Sequence, residues 1–139
     1  PMPTAVLTSQ TGFKSFYCND CTDKLDYYTS EWKKLGFQPD GIYTGFLSSE
    51  KQVDKILDFI NNFETENTLV LVDPVMGDGG RTYSLFTDAL ACKMKKLVTV
   101  ADVITPNLTE CCILCDVDYC EFIKNADKPD FMDKIAELG

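Results

Sequence analysis

At 139 residues, 45% of them hydrophobic and 12% aromatic, the chain can build one packed core, which excludes intrinsic disorder for its bulk. Thirteen Lys and Arg against 22 Asp and Glu leave a net charge of −9 with no basic cluster, which argues against a nucleic-acid partner. No apolar run reaches the ~20 residues of a membrane helix, and no basic segment precedes an apolar stretch at the amino end. The chain is therefore expected to have no membrane partner and to be soluble and cytoplasmic.

Seven cysteines are an odd number for a disulfide scaffold, and with a core available they predict reduced thiols. The absence of histidine removes His-based acid/base chemistry, Ser-His and Cys-His couples and histidine metal ligands. The opening Pro1-Met2-Pro3 does not start on methionine, and a truncated chain is expected.

In chain order, Thr4 to Thr8 is a short run of β-formers stopped by Gly12, read as a buried strand. A polar loop with Cys18 and Cys21 follows. From about Asp23 to Leu35, the apolar residues Leu25, Tyr28, Trp32 and Leu35 fall three or four apart, and Gly36 closes an amphipathic helix. Gly41 to Gly45 is a second strand. Ser49 and Gln52 are spaced as a capping box ahead of Val53, Ile56, Leu57, Ile60 and Phe63, a second helix.

Thr68 to Val72 is apolar without alternation, as a parallel strand buried on both faces requires. After Asp73-Pro74 and a glycine-rich loop, a helix is expected from about Phe86 to Val98, with Lys93, Lys95 and Lys96 suiting its negative end. Val103-Ile104 is a short strand broken by Pro106, Asn107 to Cys115 reads as helical, and a last helix is expected over about Phe131 to Leu138. This alternation predicts an α/β fold, a three-layer α/β/α arrangement with a mostly parallel sheet and right-handed crossovers. Ligands in such folds collect outside the carboxyl ends of the strands. Here those ends carry Gln10-Thr11-Gly12, Thr44-Gly45-Phe46, Asp73 through Tyr83, and the residues after Ile104.

The densest of these is Asp73-Pro74-Val75-Met76-Gly77-Asp78-Gly79-Gly80-Arg81-Thr82-Tyr83. Two carboxylates five residues apart can share a hydrated cation, and glycines let backbone N–H groups approach anionic oxygens. The same letters also suit a strand-ending turn. Asn107 and Glu110 have the spacing of a capping box and, taken alone, read as a helix cap. A capped helix end at the rim of a sheet is also favourable for phosphate, so both roles can coexist. The Cys18-Cys21 and Cys112-Cys115 pairs have zinc-like spacing, but the second lies on an apolar helical stretch and neither has a knuckle glycine. Neither zinc nor a dithiol redox site is expected from them.

Taken together, four stretches resemble the pyridoxal kinases of the ribokinase-like fold. They are Pro3 to Leu7 with Thr11-Gly12, Gly41 to Leu47, Val72 to Asp78, and Ala101 to Glu110. The Asp-Pro-Val-Met segment is shared with the hydroxymethylpyrimidine kinases, whereas the Gly-Asp-Gly-Gly continuation with Tyr83 is more like the pyridoxal branch. The resemblance implies transfer of the γ-phosphoryl of ATP, with Mg2+, to the 5′-hydroxymethyl group of pyridoxal, pyridoxine or pyridoxamine. It implies substrate contacts at Leu7, Thr11 and Phe46. It places Asp73, Asp78, Tyr83, Asn107 and Glu110 around the phosphates, with Asp78, Asn107 and Glu110 organising hydrated magnesium. A monovalent cation and a homodimer also come with the resemblance.

Gln10 stands where many relatives have His. The opening strand and loop and the closing Gly-Thr-Gly-Asp motif, whose Asp is the family's catalytic base, do not lie in these residues. Residues 1–139 are therefore expected to be the central part of a single ribokinase-like domain truncated at both ends, inactive alone, with the catalytic residue unknown. A hydroxymethylpyrimidine kinase and a non-catalytic ligand-binding fragment are the alternatives.

Overall fold

The computed structural model describes residues 1–9, 13–126 and 133. Its centre is a parallel sheet of β3 (Gly41–Thr44), β4 (Leu69–Val72) and β7 (Val103–Ile104), with β4 in the middle. The register pairs Ile42 with Val70 and Thr44 with Val72, and then Val72 with Ile104. One face of the sheet therefore presents Ile42, Val70 and Val72. These residues form a single core with Val53, Ile56 and Ile60 of α2 (Glu50–Phe63) and Leu90, Met94 and Leu97 of α3 (Asp88–Val98).

The other face presents Tyr43, Leu69 and Val103, all exposed. The expectation that the third strand is buried on both faces is thus met on one face only. Leu69 stays 52% exposed because no described element covers it. Asp102 extends the β4–β7 pairing, since its carboxylate accepts from the Val70 N–H at 2.8 Å and its own N–H donates to the Val70 carbonyl at 2.9 Å.

Local chemistry sets most helix ends. Ser49 caps α2 by accepting from the Gln52 N–H, and Thr87 caps α3 by accepting from the Leu90 N–H. The Gln52 side chain departs from a capping box. Fully buried, it accepts from the Ser48 N–H at 2.9 Å and donates to the Thr4 carbonyl at 2.7 Å, tying the amino-terminal segment to α2.

That segment is where the fold differs most from expectation. β1 (Ala5–Leu7) pairs antiparallel with β2 (Cys18–Asp20), a strand where a polar loop was expected, and the pair forms a separate hairpin. β1 is half-buried, with Val6 exposed. α1 (Thr22–Lys34) follows, its Leu25 buried and its Trp32 packed on the core. The chain from β4 to α3 passes through the two-residue strands β5 (Gly77–Asp78) and β6 (Arg81–Thr82). Beyond β7 come α4 (Leu108–Leu114) and α5 (Tyr119–Asn125), the latter not foreseen in the sequence. The helix expected at 131–138 lies outside the described residues apart from Asp133. No helix among the described residues is long and apolar enough to cross a membrane.

Candidate active site

The glycine-rich loop folds as a small ribbon at the carboxyl end of β4. Asp73 donates its N–H to the Thr44 carbonyl at 2.9 Å, and its own carbonyl turns back to the Val75 N–H at 2.9 Å. β5 and β6 then pair antiparallel, with Asp78 opposite Arg81. Gly79 and Gly80 form the two-residue turn with φ of 57° and 76°, the left-handed pair that a tight hairpin of this kind requires. Gly77 is obligatory for a different reason: a Cβ there would lie 2.3 Å from the Arg81 carbonyl oxygen.

The amino end of α4 holds this ribbon in place. Asn107 and Glu110 form the expected capping box, Asn107 Oδ1 accepting from the Glu110 N–H at 3.1 Å and Glu110 Oε2 accepting from the Asn107 N–H at 2.8 Å. Both side chains reach further than a cap needs. Glu110 Oε1 accepts from the Met76 N–H at 3.1 Å, and Asn107 Nδ2 donates to the Gly77 carbonyl at 2.9 Å. Thr109 adds a third tie by accepting from the Gly80 N–H at 2.9 Å. On the far side Gly80 abuts Tyr119 of α5 so closely that a Cβ would be 2.4 Å from the ring.

Three carboxylates converge on this ribbon. Glu110 is only 3% exposed. Burial pushes its carboxyl above the ordinary value, the Asn107 and Met76 N–H groups oppose that rise, and the nearby Asp73 adds to it. The Tyr83 phenol is raised by burial first and then by Asp78, Glu110 and Asp73, so all four groups share one electrostatic environment. Asp73 accepts a 3.2 Å hydrogen bond from the hydroxyl of Tyr43 on β3. That contact raises the Tyr43 phenol through the Asp73 charge.

An apolar cavity of about 610 Å³ opens beside this cluster, within the size range of small-molecule sites. Leu7, Trp32, Tyr43, Phe46 and Phe59 line it. Phe46 also lines a narrow cleft with Val75 and Tyr83. Phe46 and Tyr43 therefore join the apolar cavity to the acidic cluster. Of the residues singled out in the sequence, Leu7 and Phe46 meet at the cavity, and Asp73, Asp78, Tyr83, Asn107 and Glu110 meet at the ribbon. Thr11 lies outside the described residues. Sequence reasoning missed Tyr43, Thr109 and Tyr119. Only the place of Tyr43 one residue before a strand end signalled it.

The donor set favours a hydrated cation over a caged one. Among the described residues no group of three or more Asp, Glu or Cys is placed to hold a metal directly. Each Glu110 oxygen already accepts an N–H and both ends of the Asn107 amide are used, whereas Asp73 and Asp78 keep open lone pairs. Mg2+ retains several waters and takes one or two carboxylates with substrate phosphates, and these residues fit that habit. At the cysteines, burial raises the Cys18, Cys111 and Cys112 thiols, which works against thiolate ligation.

The sequence pattern of the phosphomethylpyrimidine kinases matches residues 31–139. The chain belongs to that family and has the ribokinase-like fold, and pyridoxal kinases are among its relatives. It is 34% identical over 73 residues to the pyridoxal kinase PdxY of Haemophilus influenzae, covering 51% of this chain and 25% of that protein. A Bacteroides thetaiotaomicron protein assigned to the phosphomethylpyrimidine kinases and crystallised with pyridoxal superposes with a TM-score of 0.86 at 40% identity, over 100% of this chain and 49% of that one. The pyridoxal kinase of Lactobacillus plantarum superposes with a TM-score of 0.76 at 28% identity, over 85% of this chain and 42% of that one. The chain thus spans no more than about half the length of these relatives.

Proposed function

We propose that the chain is the central part of a single-domain pyridoxal kinase, which moves the γ-phosphoryl group of ATP to the 5′-hydroxymethyl group of a B6 vitamer. The observation that carries this reading is the continuity between the apolar cavity of Leu7 and Phe46 and the acidic ribbon of Asp73, Asp78, Glu110 and Tyr83. An aromatic ring substrate fits the first, and a phosphate chain with its cation fits the second.

Phosphoryl transfer depends chiefly on positioning and charge neutralisation. Leu7 and Phe46 pack the ring and keep water from it, with Thr11 as a polar contact to the substrate. Asp73, oriented by Tyr43, and Asp78 would hold the hydration shell of Mg2+, whereas Asn107 and Glu110, their polar atoms taken by backbone groups, would fix the ribbon that carries Asp78. The bound ion supplies neutralisation of charge on the phosphate oxygens. Tyr83 offers its hydroxyl to the phosphate chain.

In this reading none of the described residues serves as the base at the substrate hydroxyl, and the segment alone is inactive. Glu110 is sequestered between amides and Asp73 is engaged by Tyr43. A phosphorylation assay with pyridoxal, pyridoxine, pyridoxamine and hydroxymethylpyrimidine in parallel on the complete gene product tests the assignment. Turnover of a B6 vitamer is expected. A preference for the pyrimidine would move the protein to the sister activity, and no turnover of any of the four would remove the kinase reading.

A further inference from the structure

Arg81 is the only arginine in the sequence, and it sits in the acidic ribbon of a protein whose net charge is −9. Four of the lysines among the described residues find a carboxylate within 2.7 Å, at Glu31, Asp26, Asp54 and Asp116. Arg81 is exposed and makes no ion pair among the described residues, although Asp78 stands directly opposite it across the β5–β6 pair.

The geometry of the ribbon says where Arg81 points. Opposed residues of an antiparallel pair project to the same face, and residues two apart along a strand do so as well. Pairing continues past β6, because the Tyr83 N–H donates to the Met76 carbonyl at 3.0 Å. Asp78, Arg81 and Tyr83 therefore share one face. The ribbon that carries them is held at Met76, Gly77 and Gly80 by Glu110, Asn107 and Thr109, and Gly80 packs against Tyr119. An exposed guanidinium is thus carried on a held backbone, on the face that also bears Asp78 and Tyr83.

The carboxylates of the ribbon suit a hydrated cation and repel a polyphosphate, so a nucleotide at this ribbon needs positive charge from the protein too. A guanidinium supplies it in a planar fork that matches two phosphate oxygens at once. We propose that Arg81 is the cationic contact for the phosphate chain of the nucleotide, a binding residue additional to the acidic and amide residues of the site. The proposal rests on the kinase reading above and deepens it.

The test is equilibrium binding of MgATP, MgADP and adenosine to the complete gene product, for the wild type and for Arg81→Ala and Arg81→Lys, with a melting curve for each. Arg81 is exposed and its side chain ties nothing to the core, so both variants are expected to melt with the wild type. Arg81→Ala is expected to weaken MgATP binding by roughly tenfold and to flatten its salt dependence, while adenosine binding stays unchanged. Arg81→Lys is expected to recover part of the loss, since it keeps the charge and loses the fork. MgATP binding by Arg81→Ala as tight as that of the wild type would overturn the assignment while leaving the kinase reading intact. Equal weakening for adenosine and MgATP would also overturn it. A wild type that binds no nucleotide would bring down the kinase reading and this inference together.

Discussion

Replacing Glu110 probes the joint between α4 and the glycine ribbon. In Glu110→Ala the Met76 and Asn107 N–H groups lose their acceptors, the first fully buried and the second partly so. An unsatisfied buried donor costs about 1–3 kcal/mol. Water can reach the Asn107 amide, and relief from burying a carboxylate offsets part of the loss, so a net destabilisation of about 2–3 kcal/mol is expected. For a domain of this size that lowers Tm by roughly 6–15 °C.

The pH dependence adds an independent check. The Glu110 carboxyl lies above its ordinary 4.5 in the folded protein. The folded state therefore binds the proton more tightly than the unfolded chain. The associated stability is complete below the unfolded value and disappears as pH rises through the folded one. In Glu110→Gln the amide keeps one acceptor and turns an NH2 toward the other N–H, and it does not titrate. Its deficit against the wild type should be largest in acid and narrow toward neutral pH. Urea unfolding from about pH 4 to about pH 8 measures both effects. If Glu110→Ala unfolds within ~0.5 kcal/mol of the wild type, or the gap to Glu110→Gln is flat with pH, the clamp is not holding the ribbon.

Gly80→Ala combines a φ of 76° with a Cβ 2.4 Å from the Tyr119 ring, and a loss of about 2 kcal/mol or more is expected in urea unfolding. Adding Tyr119→Ala should restore the steric share and leave the backbone share, and full additivity of the two losses would contradict the contact. Thr44 is 6% exposed and its hydroxyl has no partner among the described residues, so Thr44→Val is expected to raise stability by about 1 kcal/mol, read as a higher urea midpoint. Asp73→Asn removes the charge that raises the Tyr43 phenol. Ultraviolet titration, with Tyr43→Phe identifying the signal, should then show this tyrosine ionising at lower pH, and an unmoved curve would count against the Tyr43–Asp73 contact.

Features that depend on near neighbours in the chain were legible in the sequence. Ser49 and Asn107 cap their helices as their spacing indicates, because an oxygen two or three bonds from the backbone reaches the N–H three residues on whatever lies around it. The apolar periodicity of Val53, Ile56 and Ile60 placed α2 correctly, and the strand-end rule picked out residues that the fold brings together at the ribbon. β2 was not legible, since Cys18-Asn19-Asp20 has no strand propensity and is extended only because β1 offers it a partner. The fate of Gln52 was hidden for a similar reason: its acceptor at Thr4 lies 48 residues away.

By itself the sequence determined the alternation of the three parallel strands with their helices, the caps at Ser49 and Asn107, and the set of polar residues gathered at the strand ends. Those follow from side-chain periodicity and from hydrogen bonds within a turn of chain. Only the tertiary structure decided that Tyr43 meets Asp73 across 30 residues and Glu110 meets Met76 across 34. It also decided that Arg81 shares a face with Asp78 and Tyr83. Such contacts depend on strand register and on how α4 seats against the ribbon, and both are set by packing among segments that no local pattern connects.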